Sequence, residues 1–186
     1  PGGRANFSDA HFHCDHQGAS LFARIAALHQ NPELQWAFWE YREAMNGELL
    51  QRVYHFGKIR PEREHWQFIS YDPEVAPQKP GSRRPLGCLF QSLHYSFAAL
   101  RNGWGRDDRG VTVAAKGGNN GANHHQLDIG QVIAGAFGRR ILVDPGYGTG
   151  YCDGNGHKIN WFRDFHKNSF GHNIVTLDGK NQYDGG

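Results

Sequence analysis

Between residues 71 and 87 the spacing of apolar side chains changes from a helical period to an extended one, and this change constrains the fold more than any other feature. The segment YDPEVAPQKPGSRRPLG holds four prolines and two glycines, so it is expected to cross the surface as a linker. Before it, ASLFARIAALHQ spaces Leu21, Ile25 and Leu28 at i, i+4 and i+7, with Ser20 available as an N-cap. NPELQWAFWEYREAMNG then opens with Asn31 as cap and Pro32 in the first turn, and its Leu34, Phe38, Tyr41 and Met45 share one face. A third short helix, ELLQRVYHFG, is expected to end at Gly57. Pattern alone leaves two arrangements open for these helices: the edge of a larger helical domain, or a self-contained cap on the following sheet.

Beyond the linker, HYSFAALRNGW, GVTVAAKGG, LDIGQVIAGAFGRRILVDPGYG and HNIVTLDGKNQ read as short strands separated by glycine-bearing turns. A hairpin is expected at AFGRR, with Phe137-Gly138 at its tip. The chain is therefore expected to be α+β, with a helical segment and linker over residues 1–80 and an antiparallel β-sandwich over 81–186.

Charge narrows the partners little. Twenty Lys and Arg against 18 Asp and Glu leave a net charge of +2, too weak a field to indicate nucleic acid or an anionic membrane. No run is apolar for the roughly 18 residues a membrane helix requires. Cys14, Cys88 and Cys152 are odd in number and widely spaced, which fits neither a disulfide framework nor a CxxC zinc site. The chain begins at Pro1 without methionine, and it is expected to be a processed or truncated piece.

Twelve histidines and 25 glycines point instead to a loop-rich polar site. In ANHHQLDIG, residues 122–130, period-2 alternation puts His124, Gln126 and Asp128 on one face of a strand, with His125 and Leu127 on the other. Asp144 ends the apolar run ILV and His172 begins HNIV, so polar groups recur at strand ends, where imidazole and carboxylate together form a good zinc ligand set. Spacing alone does not make a zinc motif, and capping and turn roles are the commoner reading of the same residues. A nucleophile is less well supported: Ser169 in NSFG lacks a G-x-S-x-G elbow, and the lysine of KGGNNGAN precedes its glycines rather than following them as in a phosphate loop.

The run GGNNGANHHQLDIGQVIAGAFGRRILVDPGYG, followed by NSFGHNIVTLDGKNQ, resembles the β-sandwich part of the heparinase II/III-like polysaccharide lyases, a family that includes alginate lyases. The likeness covers about residues 90 to 182. Upstream, NFSDAHF and the paired helices are similar to the end of the α/α toroid that precedes the sandwich in that family.

The resemblance implies β-elimination on a uronic-acid polysaccharide. That chemistry requires neutralisation of the C6 carboxylate, a base for the C5 proton and an acid for the leaving oxygen. By the motif the sandwich histidine is His124, whereas the catalytic tyrosine would come from toroid helices upstream of Pro1 or in a companion chain. Asn120, Asn123 and Trp161 are the candidates for contact with an acidic polysaccharide; turn formation and core packing are their structural alternatives. The family's zinc or similar divalent cation would fall to Gln126, Asp144 and His172. Gln126 departs from the pattern, because an amide oxygen is a poor zinc donor beside an imidazole. A two-residue hairpin at Phe137-Gly138 would also set Asp144 opposite Gln131, about 16 Å along an extended strand from Gln126.

Three functions follow as expectations. The first is a fragment of a periplasmic or secreted bacterial lyase, inactive as an isolated chain. The second is a non-catalytic carbohydrate-binding or structural module, and the third a zinc hydrolase on a β scaffold.

Overall fold

The computed structural model describes residues 7, 19–42, 69–92, 94–105, 109–121, 126–146 and 165–183. The chain forms two compact units: of the described residues, 19–84 and 104–105 belong to the first, which contains helices, and 7, 85–103, 109–146 and 165–183 to the second, which contains an antiparallel sheet. It is an α+β chain. Among the described residues, no helix is long and apolar enough to cross a membrane.

In the first unit, α1 spans Ala19–His29. It ends at Gln30, whose φ of 47° is left-handed. Asn31 N then donates to Ala26 O at 2.9 Å and Gln30 N to Ala27 O at 3.4 Å, the paired bonds of a Schellman motif. Asn31 immediately caps the next helix, α2, described over residues 32–42: its Oδ1 accepts from Glu33 N and Leu34 N, each at 3.0 Å. Pro32 stands in the first turn, where its missing N–H costs nothing. The α1–α2 corner expected from Asn31-Pro32 is thus formed.

The buried face of α1 differs from the expected one. Leu21 and Leu28 are 57% and 60% exposed, while Ala23 and Ala26 are fully buried. Ala23 packs with Phe38 of α2, and Phe22, Tyr41 and Tyr71 cover the pair. A small side chain lets the two helices approach closely, and that packing overrides the leucine stripe. Residues 69–84 fold back along α2 through Gln35 Nε2 to Asp72 O at 2.8 Å and Gln78 N to Pro32 O at 3.0 Å. Met45 and the expected third helix lie outside the described residues.

The second unit is a five-stranded meander in the order β1 (Gly87–Gln91), β2 (Tyr95–Arg101), β3 (Val111–Gly118), β4 (Val132–Ala136) and β5 (Arg139–Leu142). Every neighbouring pair is antiparallel. The β2–β3 connection is closed by Asn102, whose Oδ1 accepts from Val111 N at 2.7 Å and whose Nδ2 donates to Arg109 O at 3.1 Å. The β4–β5 hairpin turns at Phe137-Gly138 as expected; their φ values of 52° and 68° give the mirror-image turn that matches strand twist. A register shift beside Ala134 then carries the chain toward Asp144.

Three strand expectations change. β1 arises from GCLFQ, directly after the linker, where the sequence carries no alternation. Residues 126–131 are a turn rather than a strand: Gln131 N donates to Asp128 O at 3.1 Å, Gly130 has a φ of 84°, and Gln126, Leu127 and Asp128 are buried in succession. The alternation that set His124, Gln126 and Asp128 on one face therefore does not apply from Gln126 onward. HNIVTLDGKNQ forms no strand either, and its Val175 and Leu177 are 84% and 80% exposed. Its polar side chains bond to other loops and replace a ladder, as detailed below.

Gly118 ends β3 at a φ of 108°, and a Cβ there would lie 2.2 Å from the His94 carbonyl oxygen. Gly130 also has positive φ, but a Cβ there meets nothing within 4 Å. Gly130→Ala is expected to cost only the left-handed penalty of about 1–2 kcal/mol. Gly118→Ala should cost distinctly more, because the β1–β2 turn must move. Urea denaturation of the two variants checks the order.

Candidate functional site

The second unit encloses polar groups where a small sheet would ordinarily bury apolar ones. Lys116, Gln126, Asp128, Gln131, Asp144, Ser169 and His172 are all buried. The sheet register explains how two of them arrive together. Ala114 pairs with Ile133 and Ala115 with Val132, so Lys116 lies opposite Gln131, where its N–H donates to Gln131 O at 3.0 Å. Side chains directly opposite on an antiparallel pair project to the same face. From that face Lys116 Nζ reaches Asp128 Oδ1 and Gln131 Nε2 reaches Asp144 Oδ2. The Lys116 and Asp128 side chains are 1% and 0% exposed.

Asp144 is a hub. Its Oδ2 also meets His172 Nδ1 at 2.8 Å, and its Oδ1 accepts from Gly146 N at 2.5 Å. A buried carboxylate without donors would be strongly disfavoured; here three donors from three stretches of chain converge on it.

The loop that supplies His172 is pinned by side chains. Asn173 Nδ2 donates to Val143 O at 2.8 Å, and Val132 N donates to Asn173 O at 3.1 Å. Gln182 clamps the Ile129 peptide, with Nε2 donating to Ile129 O at 2.6 Å and Oε1 accepting from Ile129 N at 3.0 Å. The Ser169 hydroxyl donates to Leu127 O and accepts from Gln182 N, both at 2.9 Å, which gives it a structural rather than a nucleophilic role.

Of the residues singled out in the sequence, Asp144 and His172 meet directly. Gln126 is fully buried, and neither end of its amide has a hydrogen-bond partner among the described residues. The amide that contacts Asp144 belongs to Gln131, whose side chain reaches it although the β4–β5 register shifts by one residue beside Ala134. Asn120 is engaged internally: its Nδ2 donates to Gln182 Oε1 at 3.0 Å and to Tyr183 O at 3.2 Å. His124, Asn123 and Trp161 lie outside the described residues. Lys116, Gln131 and Gln182 are members that sequence reading did not assign to the site; a lone lysine inside the apolar run VTVAAKGG was the available signal for the first.

Asp128, Asp144 and His172 are ligand types, and one ligand atom of each lies within 4.8 Å of the others. As arranged, Asp144 and His172 bond to each other and Asp128 bonds to Lys116. Two ligands of a single zinc each stand about 2.0–2.1 Å from the metal and are not hydrogen-bonded to each other. The 2.8 Å contact between His172 Nδ1 and Asp144 Oδ2 is a hydrogen bond, and it turns the unpartnered Nε2 of the ring away from Asp144. The ammonium of Lys116 already sits on Asp128. In this arrangement Oδ1 of Asp128, both oxygens of Asp144 and Nδ1 of His172 are each engaged by a protein group.

The chain matches no protein-family model and no curated protein sequence.

Removal of the Asp128 carboxylate leaves an ammonium buried without its counter-charge. Asp128→Ala is expected to destabilise the chain by about 3–5 kcal/mol, whereas replacing both partners, Lys116→Met with Asp128→Leu, should recover most of that loss. Guanidinium unfolding of the single and double variants measures the difference.

Proposed function

We propose that this chain is part of a polysaccharide lyase of the heparinase II/III-like type, which cleaves a uronic-acid polymer by β-elimination in the periplasm or outside the cell. The observation that carries this reading is the meeting of Asp144 and His172. They are 28 residues apart, they are the aspartate of DPG and the histidine of HN, and they touch at 2.8 Å in the second unit. The neighbouring Asn173 and Gln182, from the same HN and Q positions, fasten that loop to Val143 and Ile129.

The finer architecture belongs to the same proposal: the helices are the end of an α/α toroid and the sheet is one layer of a sandwich. In support, consecutive residues on both edge strands expose apolar side chains, Leu89 and Phe90 on β1 and Ile141 and Leu142 on β5. Consecutive strand residues point to opposite faces, so both faces carry apolar surface suited to a second layer.

In this reading His124 works at the sugar as acid or base, immediately before the buried segment 126–128. Asn123 and Trp161 contact the polymer, while Asn120 orients the loop. The tyrosine that completes the proton transfers comes from preceding toroid helices, in the precursor or a companion chain. A base and an acid must both lie within hydrogen-bond reach of the substrate, so one wall of the cleft does not suffice.

The experiment is an assay of the complete precursor and of the 186-residue chain on uronate polymers, with ultraviolet absorbance of the new double bond as the readout. The precursor should eliminate, His124→Ala should lower its rate by about 100-fold or more, and the isolated chain should be inactive. New reducing ends without absorbance would indicate a hydrolase instead. Polymer binding without cleavage by the precursor would indicate a binding module.

A further inference from the structure

We infer that Lys116 is the resident cation of the buried cluster, so that this site is held together without a metal ion. The inference concerns the cluster alone and holds whether or not the chain is a lyase.

Three observations carry it. The position expected to supply a third strong ligand is Gln126, an amide. Among the described residues, Asp128 is the further ligand-type group within 4.8 Å of Asp144 and His172, and it carries the Lys116 ammonium on its Oδ1. Asp144 accepts from Gln131, His172 and Gly146, so both its oxygens are engaged by N–H donors.

Position makes the arrangement durable. Lys116 leaves the interior of β3, opposite Gln131 in a continuous register, and its side chain is 1% exposed. A surface lysine could swing into water and vacate the site; this one has no such route without opening the sheet. A divalent ion entering among Asp128, Asp144 and His172 would face the ammonium in a low-dielectric interior, where like charges repel far more strongly than in water. One fixed positive charge thus neutralises Asp128, while N–H groups of Gln131, His172 and Gly146 satisfy Asp144. The ordinary consequence of a structural metal, sensitivity to chelators, should be absent.

The test uses the full 186-residue chain and zinc chloride alone. After purification with zinc present and exhaustive dialysis, elemental analysis should find well under one zinc per chain, and neither EDTA nor added zinc should move the melting temperature. Lys116→Met removes the charge at similar length and takes the Lys116 ammonium from Asp128. This variant should bind zinc at least tenfold more tightly than the parent and be stabilised by it. Lys116→Arg should stay zinc-free. Stoichiometric zinc in the parent, with a fall in melting temperature on chelation, would overturn the inference, as would a folded Lys116→Met variant with unchanged zinc affinity. If Lys116→Met folds only with zinc, the inference is supported; if it folds under neither condition, the zinc content and chelator response of the parent decide.

Discussion

A carboxylate taken out of water must be surrounded by donors, and the second unit is organised around meeting that demand at Asp144. Gln131 comes from the turn just before β4, His172 from a loop that follows the 3₁₀ turn Ser169–Gly171, and Gly146 from the chain just beyond Asp144 itself. Each donor lies on a different stretch, so Asp144 ties together pieces that a meander would leave independent. The neighbouring Lys116–Asp128 pair extends this tie into β3. Buried polar groups of this kind stabilise only when fully satisfied, and they specify one arrangement because few others satisfy them.

The same logic accounts for the irregular segment after His172. Its apolar residues Val175 and Leu177 stay in solvent, while Asn173, Asn181 and Gln182 reach back to backbone or side-chain partners. An asparagine or glutamine side chain carries both a donor and an acceptor and can imitate a peptide group, so a loop fastened by three of them holds its place without a ladder. Gln182, bonded to both the N–H and the C=O of Ile129, does this most completely.

Features that depend on neighbouring residues were legible in the sequence. Asn31-Pro32 marked the helix corner because a cap and a first-turn proline act within three residues, and Phe137-Gly138 marked a hairpin because the flanking apolar runs bracket it. The simple hairpin register, which would set Asp144 opposite Gln131, is broken by the shift beside Ala134, and the two residues meet through the reach of their side chains. Features that depend on distant chain were not legible. The buried face of α1 was decided by the close approach of Ala23 to Phe38, which no periodicity encodes. HNIVTLDGKNQ has the alternation of a strand, yet the side chains of Asn173, Asn181 and Gln182 bond mostly to backbone groups of other segments. Lys116 inside VTVAAKGG looked like any strand residue, since its partner Asp128 is brought to it by a turn at Gly130 that the apparent strand pattern concealed.

Amide hydrogen exchange on an Asp144→Ala variant tests the hub most directly. If Asp144 couples these segments, the amides of Leu127, Ile129 and Val132, which bond to Lys167, Gln182 and Asn173, should lose protection together. The β1–β2 amides should keep theirs. Faster exchange confined to residues 144–146, with the other three amides still protected, would contradict the account.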